Sequence, residues 1–328
     1  MDELPGPPVL PSPSPVERNA VNDTPQTLRA ALVQHAASEE LARNLATADA
    51  GVREAAASGA RLVLLQELHP SRYFCQAQRV ETFDLAEPIP GPTTQHLGRL
   101  AAELGLVIVT TLFERRAAGI YHNTAVVLDS DGSLAGTYRK MHIPDDPGFH
   151  EKFYFTPGDQ GFRPIDTSLG PLGVLVCWDQ WYPEAARLMA LAGARLLLYP
   201  TAIGWHPPDA DDEKARQREA WIAVQRGHAV ANHLPLLACN RVGHEPDPNG
   251  GPGIDFWGSS FACGPQGELL GQAPDDAPEV LVVDLPLGRT EELRRIWPFL
   301  RDRRIDAYAD LLHRYRDPES QPGKDPQA

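Results

Sequence analysis

Apolar residues in this chain recur at two spacings, and their alternation lays out its elements. Dense short runs rich in β-type residues read as strands: LRAALVQ from Leu28, RLVLLQE from Arg61, LVIVTTLF from Leu106, TAVVLD from Thr124 and SLAGTYRK from Ser133. GVLVC from Gly173, ARLLLYP from Ala194, LPLLACNR from Leu234, FWGSSFACG from Phe256 and EVLVVDL from Glu279 complete the set. Between them Ala37–Ala57, Thr93–Leu104, the stretch after Cys177 and Asp212–Ala231 carry helical spacing. The Asp131-Gly132 pair between two strand runs predicts a hairpin, because that dipeptide favours turns whose twist matches the strands. Strands that mix hairpins with helical crossovers predict an α/β protein with two β-layers or one large mixed sheet, helices outside. No internal repeat is visible. Residues 1–26 are proline-rich and polar, and 318–328 resemble them, so both read as flexible tails flanking one domain over 27–317.

Composition narrows the function more than the fold. Hydrophobic residues make up 42% of the 328, enough to bury a sizeable core. A formal charge of −14 argues against a nucleic-acid surface, which needs clustered Lys and Arg, and suits a neutral or cationic small substrate. Cys75, Cys177, Cys239 and Cys263 stand apart without CxxC spacing, so neither a disulfide framework nor a zinc site is expected, and a reducing cytoplasm is. The opening MDELPGPPVLPSPSP lacks the basic and apolar regions of a secretory signal. No apolar run reaches the ~18 residues of a membrane helix.

Three reactive side chains stand at strand ends, where loops are held by a rigid sheet: Glu67, Lys140 and Cys177. A thiol leading into a helix N-terminus is favoured as thiolate, and the Trp178 N–H beside it is placed to hold an oxyanion. A carboxylate ending a buried strand is poised as a base. A lysine near both can steady the thiolate or neutralise an oxyanion. Each has an ordinary structural explanation when taken singly; their convergence carries the argument. Asp179, and Asp145 with Asp146, are candidates to meet a distal ammonium, and Tyr73 is a candidate pocket wall. His142, His150, His206 and His228 show no compact ligand pattern, so no metal is expected.

These positions bring a resemblance into view. In order, strand-end placement and spacing, Glu67, Lys140 and Cys177 resemble the Glu-Lys-Cys triad of the nitrilase, or carbon-nitrogen hydrolase, superfamily. The segments QELHPSRYFCQAQ, YRKMHIPDDPGFHEKFYFTPGD, CWDQWYPEAARLMALAGA and YPTAIG are similar to those of its members that hydrolyse N-carbamoylputrescine. The resemblance spans about Leu28 to Asp317. It implies a four-layer α-β-β-α sandwich of the nitrilase type, a homo-oligomer, no metal or other cofactor, and release of putrescine, carbon dioxide and ammonia from a carbamoylated diamine. Cys177 would be the nucleophile, Glu67 the base, Lys140 and the Trp178 N–H the oxyanion stabilisers, and Glu151 a second glutamate positioning substrate. Tyr73, Trp178 and Asp179 would bind substrate. After YPTAIG the chain reads WHPPDADDEKARQRE where plant members carry Ser-Glu-Pro, which leaves the amine's partner open. The alternatives are a thiol hydrolase of N-carbamoyl amino acids or simple amides, a metal-dependent phosphoesterase on a similar sandwich, and a silent binding protein.

Overall fold

The computed structural model describes residues 26–316, so the two expected tails lie outside the described residues apart from Gln26. In β1 (Leu28–Gln34), Leu28, Ala30 and Leu32 face one core while Ala31 and Val33 face another, as the two-residue period of an extended chain requires. The chain continues through α1 (Leu41–Ala57), β2 (Leu62–Leu65), α2 (Pro92–Leu104), β3 (Val107–Ala117), β4 (Ile120–Leu128) and β5 (Leu134–Arg139). Next come β6 (Leu172–Val174), α3 (Pro183–Leu191), β7 (Leu196–Pro200), β8 (Gly204–Trp205), α4 (Asp211–Asn232) and β9 (Leu236–Cys239). The last elements are β10 (Val242–Glu245), β11 (Ile254–Trp257), β12 (Phe261–Cys263), β13 (Leu269–Gln272), β14 (Glu279–Leu285) and α5 (Arg289–Ile296).

Two large sheets form the interior. One has the order β14-β1-β2-β3-β4-β5, and the other β13-β12-β9-β7-β6. Strands joined through helices run parallel, β1 with β2 and β3, and β6 with β7 and β9. The expected hairpin joins β4 and β5 antiparallel. The sheets meet across one apolar core, in which Leu64 and Val109 of the first join Val174, Leu198 and Leu237 of the second. Against the outer face of the first sheet, α1 and α2 bury Val52, Ala55, Leu97 and Ala101. Against the second sheet, α3 packs on β6 and α4 on β9. The layers are therefore α-β-β-α.

Local chemistry moves some predicted boundaries. α1 starts at Leu41 rather than Ala37, because Asn44 folds the preceding segment back, accepting from the Ser38 N–H at 2.7 Å and donating to its carbonyl at 2.8 Å. The run FWGSSFACG is not one strand. Gly258 (φ 46°) and Ser259 (φ 54°) take left-handed backbone, and the chain leaves β11 in a small β10-β11-β8 sheet to enter β12 in the five-stranded one. The helix expected straight after Cys177 is preceded by a 3-10 turn, Cys177–Trp181, and begins only at Pro183. Pro183 at its first position has no N–H to leave unpaired. β8, β10, β13 and α5 carried no signal strong enough to be expected.

Candidate active site

The strand ends converge as the sequence suggests. Glu67 lies two residues beyond β2, Lys140 directly beyond β5, and Cys177 three beyond β6. Lys140 and Glu67 are fully buried and Glu151 nearly so. The Lys140 ammonium donates to Glu67 Oε1 at 2.8 Å and to Glu151 Oε2 at 2.7 Å. Glu151, which opens a 3-10 turn, accepts the Tyr73 hydroxyl on its other oxygen at 2.7 Å. Glu67 Oε1 also accepts from Asn123 Nδ2 at 2.7 Å, whereas Glu67 Oε2 has no hydrogen-bond partner among the described residues. One oxygen is thus locked and the other is left to take a proton.

Cys177 stands where β6 gives way to the turn, with φ at 42°. Left-handed backbone costs a non-glycine residue about 1–3 kcal/mol, and Asp179 holds the strained turn in place. Its Oδ2 accepts from the Val176 N–H at 2.9 Å and the Tyr138 hydroxyl at 2.8 Å, and its Oδ1 from the His142 N–H at 3.0 Å. Oδ1 also meets His142 Nδ1 at 2.7 Å, and the imidazole lies flat on Tyr182 with ring centroids 3.7 Å apart. Asp179, expected to bind an ammonium, is fully buried and committed to the turn that carries Cys177. Tyr73 is likewise buried behind Glu151 and does not wall the cavity described below.

Charges in this space are strongly interdependent. Burial pushes the Cys177 thiol well up, reinforced by Glu67 and opposed by Lys140. Burial thus works against the thiolate expected from the position of this turn, and a neighbouring base would offset it. Burial works to lower the Lys140 ammonium, but Glu151, Glu67 and Cys177 outweigh it and hold it well above its ordinary value. Burial raises Glu151 to about 7, with Lys140 pulling against it and Glu67 adding to it.

Cys177, Trp178 and Glu151 line a cavity of about 580 Å³, walled by Phe149, Trp181, Ile203 and Trp257. Asp146, Asp209 and Glu213 line the same space, together with His206 and Arg216. Arg216 is occupied by Asp212 at 2.9 Å and Glu213 at 2.7 Å. Asn240 fixes the Ile203 wall, accepting from its N–H at 3.0 Å and donating to its carbonyl at 2.9 Å. Among the described residues no group of three or more His, Cys, Asp or Glu has metal-holding geometry. Asn123 and Tyr138 escaped sequence reasoning. The signal for Asn123 was available: an amide inside the strand IYHNTAVVL is costly to bury without a partner.

A buried thiol, an unpaired carboxylate oxygen and a locked ammonium thus come together on an α-β-β-α sandwich. The sequence profile of the carbon-nitrogen hydrolase family matches residues 29–295, and the chain belongs to that family. It is 46% identical to the N-carbamoylputrescine amidase of Arabidopsis thaliana over 283 residues, 85% of this chain and 93% of that one. It is 39% identical to a citrullinase of Francisella tularensis subsp. tularensis over 291 residues, covering 88% of this chain and 99% of the relative. The crystal structure of a carbon-nitrogen hydrolase from Helicobacter pylori G27 superposes with a TM-score of 0.86 at 53% identity, covering 88% of this chain and all of that one.

Proposed function

We propose that the protein hydrolyses N-carbamoylputrescine to putrescine, carbon dioxide and ammonia. One observation carries this reading: the cavity that reaches Cys177 is also lined by Asp146 and Asp209, so a carbamoyl group at the thiol and an ammonium at these carboxylates share one space. The likeness to plant N-carbamoylputrescine amidases supports the same substrate.

Glu67 Oε2 takes the thiol proton as Cys177 Sγ attacks the carbamoyl carbon, a poor electrophile because two nitrogens donate into its carbonyl. Lys140, with the Trp178 N–H, stabilises the oxyanion. The C–N bond breaks, the departing nitrogen takes the proton from Glu67, and a thioester remains on Cys177. Water then adds to the thioester, giving its proton to Glu67. The C–S bond breaks, the proton returns to the thiol, and the released carbamate decomposes to carbon dioxide and the remaining amine.

A ureido amino acid is the second reading, favoured by the likeness to a citrullinase. Arg216 is the cavity's candidate carboxylate partner, but its ion pairs to Asp212 and Glu213 oppose that use. Purified protein offered N-carbamoylputrescine and citrulline should release ammonia with the higher kcat/KM from the diamine, and Cys177→Ala should release none. A preference for citrulline would overturn the substrate, and turnover by Cys177→Ala the mechanism.

Exposed apolar residues gather in the C-terminal segment, including Ile305, Leu311, Tyr315 and Leu312 at 90% exposure. Apolar side chains left exposed in this way among the described residues support a homo-oligomer, testable by light scattering. The four cysteines are free and buried, in keeping with a cytoplasmic location. Among the described residues no helix is long and apolar enough to cross a membrane.

A further inference from the structure

We infer that the buried ion pair between Arg241 and Glu245 is a positioning device that sets both carboxylates of the site, Glu67 and Glu151, for catalysis. The inference rests on the hydrolase reading above. Arg241 is fully buried and Glu245 is 1% exposed, and the two are joined by an N–H···O contact of 2.6 Å. The guanidinium donates to the carbonyl of Glu67 at 2.7 Å, of Leu68 at 3.1 Å and of Ser71 at 3.3 Å. Leu68 carries φ of 49°, so the chain makes a strained reversal immediately after the base, and two of these bonds grip that reversal. The Glu245 carboxylate uses its second oxygen to accept the Tyr73 N–H at 2.6 Å. Tyr73 in turn donates to Glu151. A single ion pair beside and within β10 thus anchors the base through its own backbone and the second glutamate through Tyr73.

Stability alone does not account for the pair. A buried ion pair is commonly no better than apolar side chains of the same shape, and Phe256 and Tyr73 already pack against the guanidinium, 5.2 and 5.9 Å from their ring centroids. What an apolar pair cannot supply is a planar fork that fixes several carbonyls in direction. Arg241 and Glu245 do not line the substrate cavity, so their loss should act on turnover and not on binding.

The test is Glu245→Gln, which keeps the shape and removes the charge, with Arg241→Lys beside it. A displacement near 1 Å costs about 10²-fold in rate, so kcat should fall at least about tenfold with KM within about twofold. The pH profile of Cys177 alkylation by iodoacetamide, with Cys177→Ala as blank, should shift as well, since the base would no longer face the thiol correctly. This second readout needs no substrate. If the unaltered protein turns over none of the amides offered, the hydrolase reading fails, whereas the alkylation profile still reports on the clamp. Folded variants with unchanged kcat and alkylation profile would overturn the inference. A Glu245→Gln protein that does not fold would also overturn it, by making the pair structural.

Discussion

Asp179→Ala isolates what holds the nucleophile in place. The change strands two buried donors, the Val176 N–H and the Tyr138 hydroxyl, now bound at 2.9 and 2.8 Å. At about 2 kcal/mol per buried donor left without a partner, the pair costs about 4 kcal/mol. A domain holding about 5–15 kcal/mol of stability survives that loss at room temperature. The more telling effect is local. With the carboxylate gone, the turn loses the side-chain bonds that hold Cys177 at its φ of 42°, and relaxation toward ordinary backbone would swing Sγ away from Glu67. A shift near 1 Å lowers kcat about 10²-fold. Urea titration should show the stability loss, and ammonia release from N-carbamoylputrescine the drop in kcat with little change in KM. If Asp179 instead gripped the substrate's ammonium, KM would rise and stability would hardly move. Retention of kcat within about threefold, or a stability loss under about 1 kcal/mol, would refute the reasoning.

The site's charges and close approaches set three further outcomes. Glu151 is pushed up to about 7 from 4.5, so activity should rise with pH through an acid limb near 7 as Glu151 gives up its proton, and Glu151→Gln should displace that limb in the kcat/KM profile. Because its folded value is raised, Glu151's own contribution to stability is complete below about 4.5 and lost as pH climbs through about 7, so Tm of the parent relative to Glu151→Gln should decline across that window. At Gly158, whose N–H donates to the Lys140 carbonyl at 2.8 Å, an added Cβ would run into the Arg139 carbonyl oxygen. Gly158→Ala should cost about 1–3 kcal/mol in denaturant unfolding and reduce kcat by displacing Lys140.

The large elements were legible because hydrophobic period reports directly on which faces are buried. β1, β9 and α4 lie within a few residues of their predicted positions, since each buries a continuous face. What escaped was decided by single residues acting across space. The break inside FWGSSFACG depends on left-handed backbone at Gly258 and Ser259, and an apolar run cannot announce a change of sheet. Glu67, Lys140 and Cys177 were visible as reactive types at strand ends. The role of Asp179 was not, because its partners Tyr138 and His142 come from around β5, far along the chain. The direction in which the thiol is shifted escaped for a related reason: burial and Glu67 act against Lys140 there, and burial is a property of the assembled interior.

Glu67 and Lys140 issue from one large sheet and Cys177 from the other, so the seam between the sheets runs through the reacting groups. Slippage along that seam would pull proton acceptor and sulfur apart while each sheet kept its own ladder of hydrogen bonds. Turnover is therefore a finer gauge of how the two halves are seated than any spectroscopic measure of secondary structure, and in gentle denaturant it should vanish first. Side chains deep in the seam such as Leu64 and Leu198, remote in sequence from the nucleophile, would then tune the reaction through their girth alone.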